Sequence, residues 1–87
     1  INPQDAELEE IILGSCLIES KAITLIADIL RPEAFYNEKN LEIYATLQSM
    51  YRNGQKIDII TVKEELARRG KLEFIGGPYT LAHISGV

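Results

Sequence analysis

The sequence has a single cysteine, Cys16, and a single histidine, His83. One cysteine excludes an internal disulfide, which fits a reducing compartment. One thiol and one imidazole, far apart in the chain, give no reason to expect a metal site or a catalytic pair. We interpret Cys16 as a small buried hydrophobe in a helix and His83 as a surface residue.

Long apolar runs and an excess of basic residues are also lacking. The longest unbroken apolar runs are three residues, as at Ile11-Ile12-Leu13, so neither a membrane span nor a signal peptide is indicated. Nine Lys and Arg stand against 13 Asp and Glu, for a net charge of −4. Proteins bind duplex DNA mainly by placing Lys and Arg against its phosphates, so DNA binding is not expected to be the main function of this acidic chain.

Catalytic signatures are missing as well. The phosphate-binding pattern G-x-x-x-x-G-K-[ST] does not occur, and the pair Gly76-Gly77 is too weak a glycine signal to replace it. No nucleophile, base and orienting acid can be grouped at sensible spacing. The carboxylates are predicted to lie at helix starts and on solvated helix faces. We therefore predict no catalytic, cofactor-binding or metal-binding residue, and favour a binding or assembly module over an independent enzyme.

What is present indicates one globular domain. The chain has 87 residues, of which 46% are hydrophobic and 25% charged, an ordinary composition for a single folded unit. It begins with Ile1 and not with methionine, so we expect it to be a piece of something longer.

Apolar residues recur at helical spacing, which predicts an all-α fold: a small orthogonal bundle of five or six short helices. In the first helix Asn2 is the expected cap and Pro3 the first position. Gly14 predicts a close approach by another helix, or else a kink. The expected apolar stripe of this helix is Leu8, Ile11, Ile12, Leu13, Cys16 and Leu17.

The middle of the chain predicts two more helices. One covers roughly Ser20 to Leu30 and ends before Arg31-Pro32. A short turn at residues 32–36 is expected to bury both Phe35 and Tyr36. The next helix is capped by Asn37 and ends at Asn53-Gly54. Its Tyr44 and Tyr51 are interpreted as half-buried aromatics.

Residues 55–60 are predicted to be extended, with Ile57, Ile59 and Ile60 against the helices. The pattern Thr61-Val62-Lys63-Glu64 then resembles a capping box, in which Thr61 and Glu64 exchange hydrogen bonds. This helix should bury Val62 and Leu66 and end at Gly70, with Arg68 and Arg69 at the negative end of its dipole. Pro78 should begin a last helix that buries Leu81 and Ile84.

The run N-P-Q-D-A-E-L-E-E-I-I-L-G at residues 2–14 resembles the opening of the N-terminal domain of DnaB-type replicative helicases, P-x-x-x-E-A-E-x-x-V-L-G. Residues 30–36 look like the family's L-x-P-E-D-F-Y. Residues 53–62 are similar to its G-x-P-[IV]-D-x-[VL]-T-[VL]. Together with residues 43–47 and 65–77, the matches follow in order and cover essentially all 87 residues.

The sequence departs from the family pattern at a few positions. Asn40 and Lys56 stand where many members have histidine and proline. The family more often reads G-G-x-x-Y-L, whereas here the aromatic residue, Tyr79, comes one place early.

The resemblance implies a parent that is a hexameric, ATP-driven helicase of the bacterial replication fork, cytoplasmic and moving 5′ to 3′. Residues 1–87 would be its single helical N-terminal collar domain, without catalysis or a cofactor of its own. The motor domain, which would use ATP and Mg, is absent from the sequence. The implied partners are other helicase subunits, primase and the helicase loader, with DNA reached only through the parent hexamer and no contact with a membrane.

Interfaces favour aromatic and arginine anchors, so the candidate protein-interaction residues are Tyr51, Arg68, Arg69 and Tyr79. For each, a structural role at the core edge or a solvated helix end is an equal alternative. Without the segment that usually follows this domain, the isolated chain is expected to be a monomer or a loose dimer.

Three other functions remain open from the residues. The helicase-binding C-terminal domain of bacterial primases has a similar helical fold. A helix-turn-helix would place residues 61–69 in the DNA major groove. An independent enzyme ranks last, since no catalytic cluster is evident.

Overall fold

A computed structural model describes residues 3–86, and every regular element in that range is helical. The prediction of an all-α fold with five or six short helices is confirmed; the predicted cap Asn2 lies outside the described residues. The elements are α1 (Pro3–Ile18), α2 (Lys21–Ile26), a 3-10 turn (Pro32–Ala34), α3 (Glu38–Arg52), α4 (Ile59–Arg68) and α5 (Pro78–Ser85).

Helix α3 is the centre of the domain, packed against α1, α2, the 3-10 turn and α4. Its side chains Ile43, Tyr44 and Leu47 have no solvent exposure. Tyr44 is therefore fully buried, and the prediction of a half-buried ring is wrong for it, although Tyr51 is partly buried. Full burial is tolerated because the Tyr44 hydroxyl donates to the Leu30 carbonyl at 2.6 Å, which satisfies its polar end.

Helix α2 is shorter than predicted, since it ends at Ile26 and residues 27–29 form turns. Side chains of α3 bind carbonyls beyond the end of α2. Gln48 donates to Ala27 at 2.8 Å, and Tyr44 donates to Leu30. Side chains of α3 donate hydrogen bonds to these carbonyls, so the chain can leave the helix without burying an acceptor that lacks a donor.

The 3-10 turn confirms the predicted short helical turn, but it separates the two aromatic residues that follow. Phe35 is 4% exposed and stacks on Tyr44 with ring centroids 4.8 Å apart, whereas Tyr36 is 69% exposed. The prediction that both are core anchors is wrong for Tyr36. Phe35 has extended backbone, in which neighbouring side chains point to opposite sides.

Helix α4 begins two residues earlier than predicted, and its cap is different. Asp58 Oδ1 accepts from the Thr61 amide at 2.8 Å, and Thr61 Oγ1 accepts from the Asp58 amide at 2.9 Å. The predicted Thr61–Glu64 box is wrong because Thr61 is already the returning member of this earlier box. Ile60 consequently lies in the first turn of α4 and is exposed, not extended and packed.

Helices α1 and α5 cross at Gly14. A Cβ atom built on Gly14 would lie only 2.2 Å from the Ile84 carbonyl oxygen, so glycine is required by the close approach of α5. The first of the two explanations predicted for this glycine is confirmed. The buried faces of α4 and α5 also agree with prediction, since Val62, Leu66 and Leu81 have no exposure.

Replacement of Gly14 by Ala should destabilise the domain by about 1–3 kcal/mol, because the added methyl group displaces the α5 backbone. Helix propensity alone would act in the opposite direction by about 1 kcal/mol. Urea unfolding followed by circular dichroism measures the difference. Ser15→Ala, on the exposed neighbour, is the control, and a Gly14→Ala protein as stable as the parent would contradict the close contact.

The Asp58 cap can be tested against the Thr61–Glu64 alternative. Asp58→Ala should lower the free energy of unfolding by about 1 kcal/mol because the α4 amides lose their acceptor. Glu64→Ala should change it by less than about 0.5 kcal/mol, since Glu64 is exposed. The reverse order of effects in urea unfolding would restore the alternative cap.

Candidate protein-interaction surfaces

The Glu9 carboxylate joins α1 to the start of α3. Its Oε2 accepts from the Tyr36 amide at 2.5 Å, and its Oε1 accepts from the Asn37 amide at 3.3 Å and from Asn40 Nδ2 at 3.0 Å. Asn37 in turn caps α3 by accepting from the amides of Lys39 and Asn40. This confirms the predicted cap and fixes the segment from which Tyr36 projects.

Glu9 and Glu65 are buried, so the prediction that the carboxylates lie on solvated faces is wrong for these two. A buried carboxylate is acceptable when hydrogen-bond donors surround it. For Glu9 those donors are two backbone amides and one side-chain amide brought from α3 and its approach. These donors lie 27 to 31 residues from Glu9 in the sequence, so local sequence patterns could not predict the arrangement.

Glu65 organises the two candidate arginines. Arg68 donates to both Glu65 oxygens, and Arg69 Nε donates to Oε2 at 3.2 Å. Hydrogen bonds from Arg68, then from Arg69, lower the pKa of Glu65, and the same carboxylate raises the pKa of Arg68. Arg69 also reaches Thr46 Oγ1 at 3.5 Å. Arg69 is thus tied into the fold, whereas most of the Arg68 side chain remains exposed.

The two candidate tyrosines occupy different settings. Tyr51 is partly buried against the core. Tyr79 is 78% exposed on α5, and its ring stacks near the His83 imidazole with centroids 6.3 Å apart and planes inclined by 21°. Tyr79 lines a hollow with His83, while Arg68 lines a separate hollow with Gln55. Tyr79 and Arg68 thus line different hollows, and the role of the four predicted residues as contacts stays a prediction.

Several large apolar side chains on and near α1 are exposed to solvent. Leu8, Ile11 and Ile18 are 56%, 63% and 70% exposed, so the predicted buried stripe is wrong for Leu8 and Ile11. A helical wheel separates these three from Leu13, Cys16 and Leu17, which are buried. The sequence could have indicated this exposure, because apolar residues of α1 are distributed around the helix and one packed face cannot bury them all. Other exposed large apolar residues are Leu25, Ile29, Tyr36, Ile60, Phe74 and Tyr79.

Charge is distributed unevenly along the chain. Residues 1–20 hold five acidic side chains and no Lys or Arg, so the remainder carries nine basic residues against eight acidic ones. The net charge of −4 is therefore concentrated on α1 and the turn after it. A phosphate-binding basic face is absent from this helix.

Cys16 is the single thiol of the chain, and it is buried. Burial raises the pKa of the Cys16 thiol to about 11, which makes it a poor nucleophile at neutral pH. Within residues 3–86, no three His, Cys, Asp or Glu side chains are grouped to hold a metal ion. Among the helices described, none is long and apolar enough to cross a membrane.

Comparison with known proteins identifies the family. The model of the DnaB-like helicase N terminal domain matches residues 1–87. The chain belongs to the DnaB-like helicase N-terminal domain family. The resemblance expected from the ordered motifs is thereby confirmed.

Relatives of this DnaB-like domain include two replicative helicases. It is 38% identical over 85 residues to the replicative DNA helicase DnaB of Rhodothermus marinus, covering 98% of this chain and 9% of that protein. It is 34% identical over 83 residues to the replicative DNA helicase DnaC of Bacillus subtilis, covering 95% of this chain and 18% of that protein. The chain thus spans less than a fifth of either relative.

The fold of this DnaB-like domain is shared with a solved relative. The crystal structure of the N-terminal domain of DnaB helicase from Mycobacterium tuberculosis superposes with a TM-score of 0.91 at 35% identity. The match covers 99% of this chain and 62% of that one. These findings do not favour the primase-domain or helix-turn-helix alternatives.

Loss of the Glu9 carboxylate should be costly. Glu9→Ala should lower the free energy of unfolding by about 3 kcal/mol, because buried donors of Tyr36, Asn37 and Asn40 lose their acceptor. Urea unfolding measures the loss, and amide hydrogen exchange should show faster exchange at Tyr36 and Asn37. Glu7→Ala, an exposed acid two residues away, is the control and should cost less than about 0.5 kcal/mol. Equal effects of the two changes would contradict the role assigned to Glu9.

Proposed function

We propose that this chain is the N-terminal assembly domain of a hexameric, ATP-dependent replicative DNA helicase that moves 5′ to 3′. The observation that carries the proposal is the match to the DnaB-like N-terminal domain over the whole chain, joined to the TM-score of 0.91. The domain contributes contacts, not chemistry. ATP and Mg are used by a motor domain elsewhere in the parent protein, and residues 1–87 form one helical collar unit without a cofactor of their own.

The surface supports an interaction role. Large apolar side chains stand exposed on α1, on α4 and between α2 and α3. Those on α1 lie on one face, and a contiguous exposed apolar patch is typical of a protein-interaction site. The proposed partners are neighbouring helicase subunits, primase and the helicase loader. DNA is reached only through the assembled parent, in the bacterial cytoplasm at the replication fork. Tyr51, Arg68, Arg69 and Tyr79 remain candidate contacts, of which Arg68 and Tyr79 are the most accessible.

The experiment compares the parent protein with and without residues 1–87. The truncated parent should keep ATP hydrolysis, because the motor lies outside this domain. It should form fewer hexamers on dilution in light scattering, and it should no longer be stimulated by primase from the same organism. A parent carrying Glu64→Ala controls for surface changes in general. A truncated parent that assembles and responds to primase like the intact one would refute the proposal.

The isolated chain gives a second readout of the same proposal. Light scattering should show a monomer or a loose dimer, and duplex DNA should show no gel retardation even at low salt. A stable hexamer would contradict the need for the rest of the N-terminal region. Salt-sensitive DNA retardation would instead support a DNA-binding module.

A further inference from the structure

One face of α1 forms a continuous exposed ridge. Leu8, Ile11, Ser15 and Ile18 are spaced by three or four residues, which places them on the same side of a helix. All four are exposed. We call these four residues the α1 ridge. It runs most of the length of a helix of 16 residues.

Hollows lie on both sides of the ridge. On one side, Leu8 and Ile12 line a hollow with Leu30, Phe35 and Tyr36, which is mostly apolar. On the other side, Ile11 lines a hollow with Ile84 and His83 of α5. A second helix can pack on a ridge that lies between two grooves. Side chains of the second helix enter the two grooves, while the ridge enters a groove of the second helix.

The rim of the ridge is acidic. Asp5 and Glu7 are exposed beside it, and Glu10 lines the hollow next to Ile11. Helix α1 contains no Lys or Arg. Lys39 shares a hollow with Glu10, and His83 Nε2 lies 4.0 Å from the Glu10 carboxylate. The carboxylates at the amino end of the ridge thus outnumber the cations beside them.

This charge pattern selects the occupant. A second copy that packed α1 against α1 in a symmetric dimer would bring acidic rims together, which is unfavourable. Nucleic acid and anionic membranes are repelled for the same reason. A helix with an apolar stripe flanked by Lys or Arg places the stripe on the ridge and its basic residues against the acidic rim, as when an amphipathic helix binds in a groove.

We propose that the α1 ridge is the docking site for a basic amphipathic helix supplied by a partner protein. The proposal rests on the proposed function, since it names the chemistry of one partner of this interaction domain. The contact is centred on Leu8 and Ile11, where the two hollows and the carboxylates coincide, and Ile18 extends it along the helix.

The test uses the 87-residue chain and two fluorescent helical peptides of equal length, with leucine along one face and either lysine or glutamate on the rest. Fluorescence anisotropy should show binding of the leucine–lysine peptide, weakening with added salt, and no binding of the leucine–glutamate peptide. The double change Leu8→Ser and Ile11→Ser should weaken the lysine peptide by about tenfold, as for loss of a buried apolar anchor. Asp5→Lys with Glu7→Lys should weaken it without a change in circular dichroism.

Ile60→Ser is the matched control, because Ile60 is an equally exposed isoleucine on another helix. Unchanged binding by this variant, with loss in the α1 variants, supports the proposal. Equal loss in all variants, equal binding of both peptides, or no binding of the lysine peptide would overturn it. Self-association of the chain that is abolished by Ile11→Ser would also overturn it, since the occupant would then be a second copy. None of these results affects the outcome of the truncation experiment, so the assembly role is tested independently of the docking proposal.

Discussion

The attachment of α1 to α3 through the Glu9 carboxylate sets the orientation of the first helix. The carboxylate binds the amides of Tyr36 and Asn37 and the side chain of Asn40. A helix that points Glu9 inward must point Ile11 and Ile18 outward, because these positions lie on the opposite side of the helical wheel. The same attachment holds the segment where Phe35 enters the core and Tyr36 leaves it. The apolar face of α1 is therefore exposed by the same orientation that buries Glu9.

The second fixed point of α1 is the crossing with α5. Gly14 allows the Ile84 carbonyl to approach a position where any side chain would collide. Between the Glu9 contact and this crossing, α1 has little freedom to rotate and bury Leu8 or Ile11. A small domain has limited core volume, and here α3 occupies the centre of it. Apolar residues beyond that capacity remain on the surface, where they are available to other proteins.

Local chemistry explains what was predictable. Proline and glycine restrict or free the backbone at single positions, so the ends of helices at Gly54 and Gly70 and the start at Pro78 agree with prediction. Asn37 also functions as the predicted cap. The ordered motifs identified the family correctly. The errors arose where two local solutions competed, as with Asp58 and Thr61 as caps, or where the answer depended on distant residues, as for Glu9, Tyr36 and the end of α2.

The sequence by itself determined the all-helical fold, most helix boundaries and membership of the DnaB-like N-terminal family, since periodicity, capping residues and ordered motifs are local properties of the chain. It also determined that the negative charge is concentrated in the first 20 residues. Only the tertiary structure decided which side of α1 faces solvent, which carboxylates are buried and which aromatic ring is exposed. Those choices depend on hydrogen-bond donors and packing surfaces that come together from parts of the chain far apart in sequence.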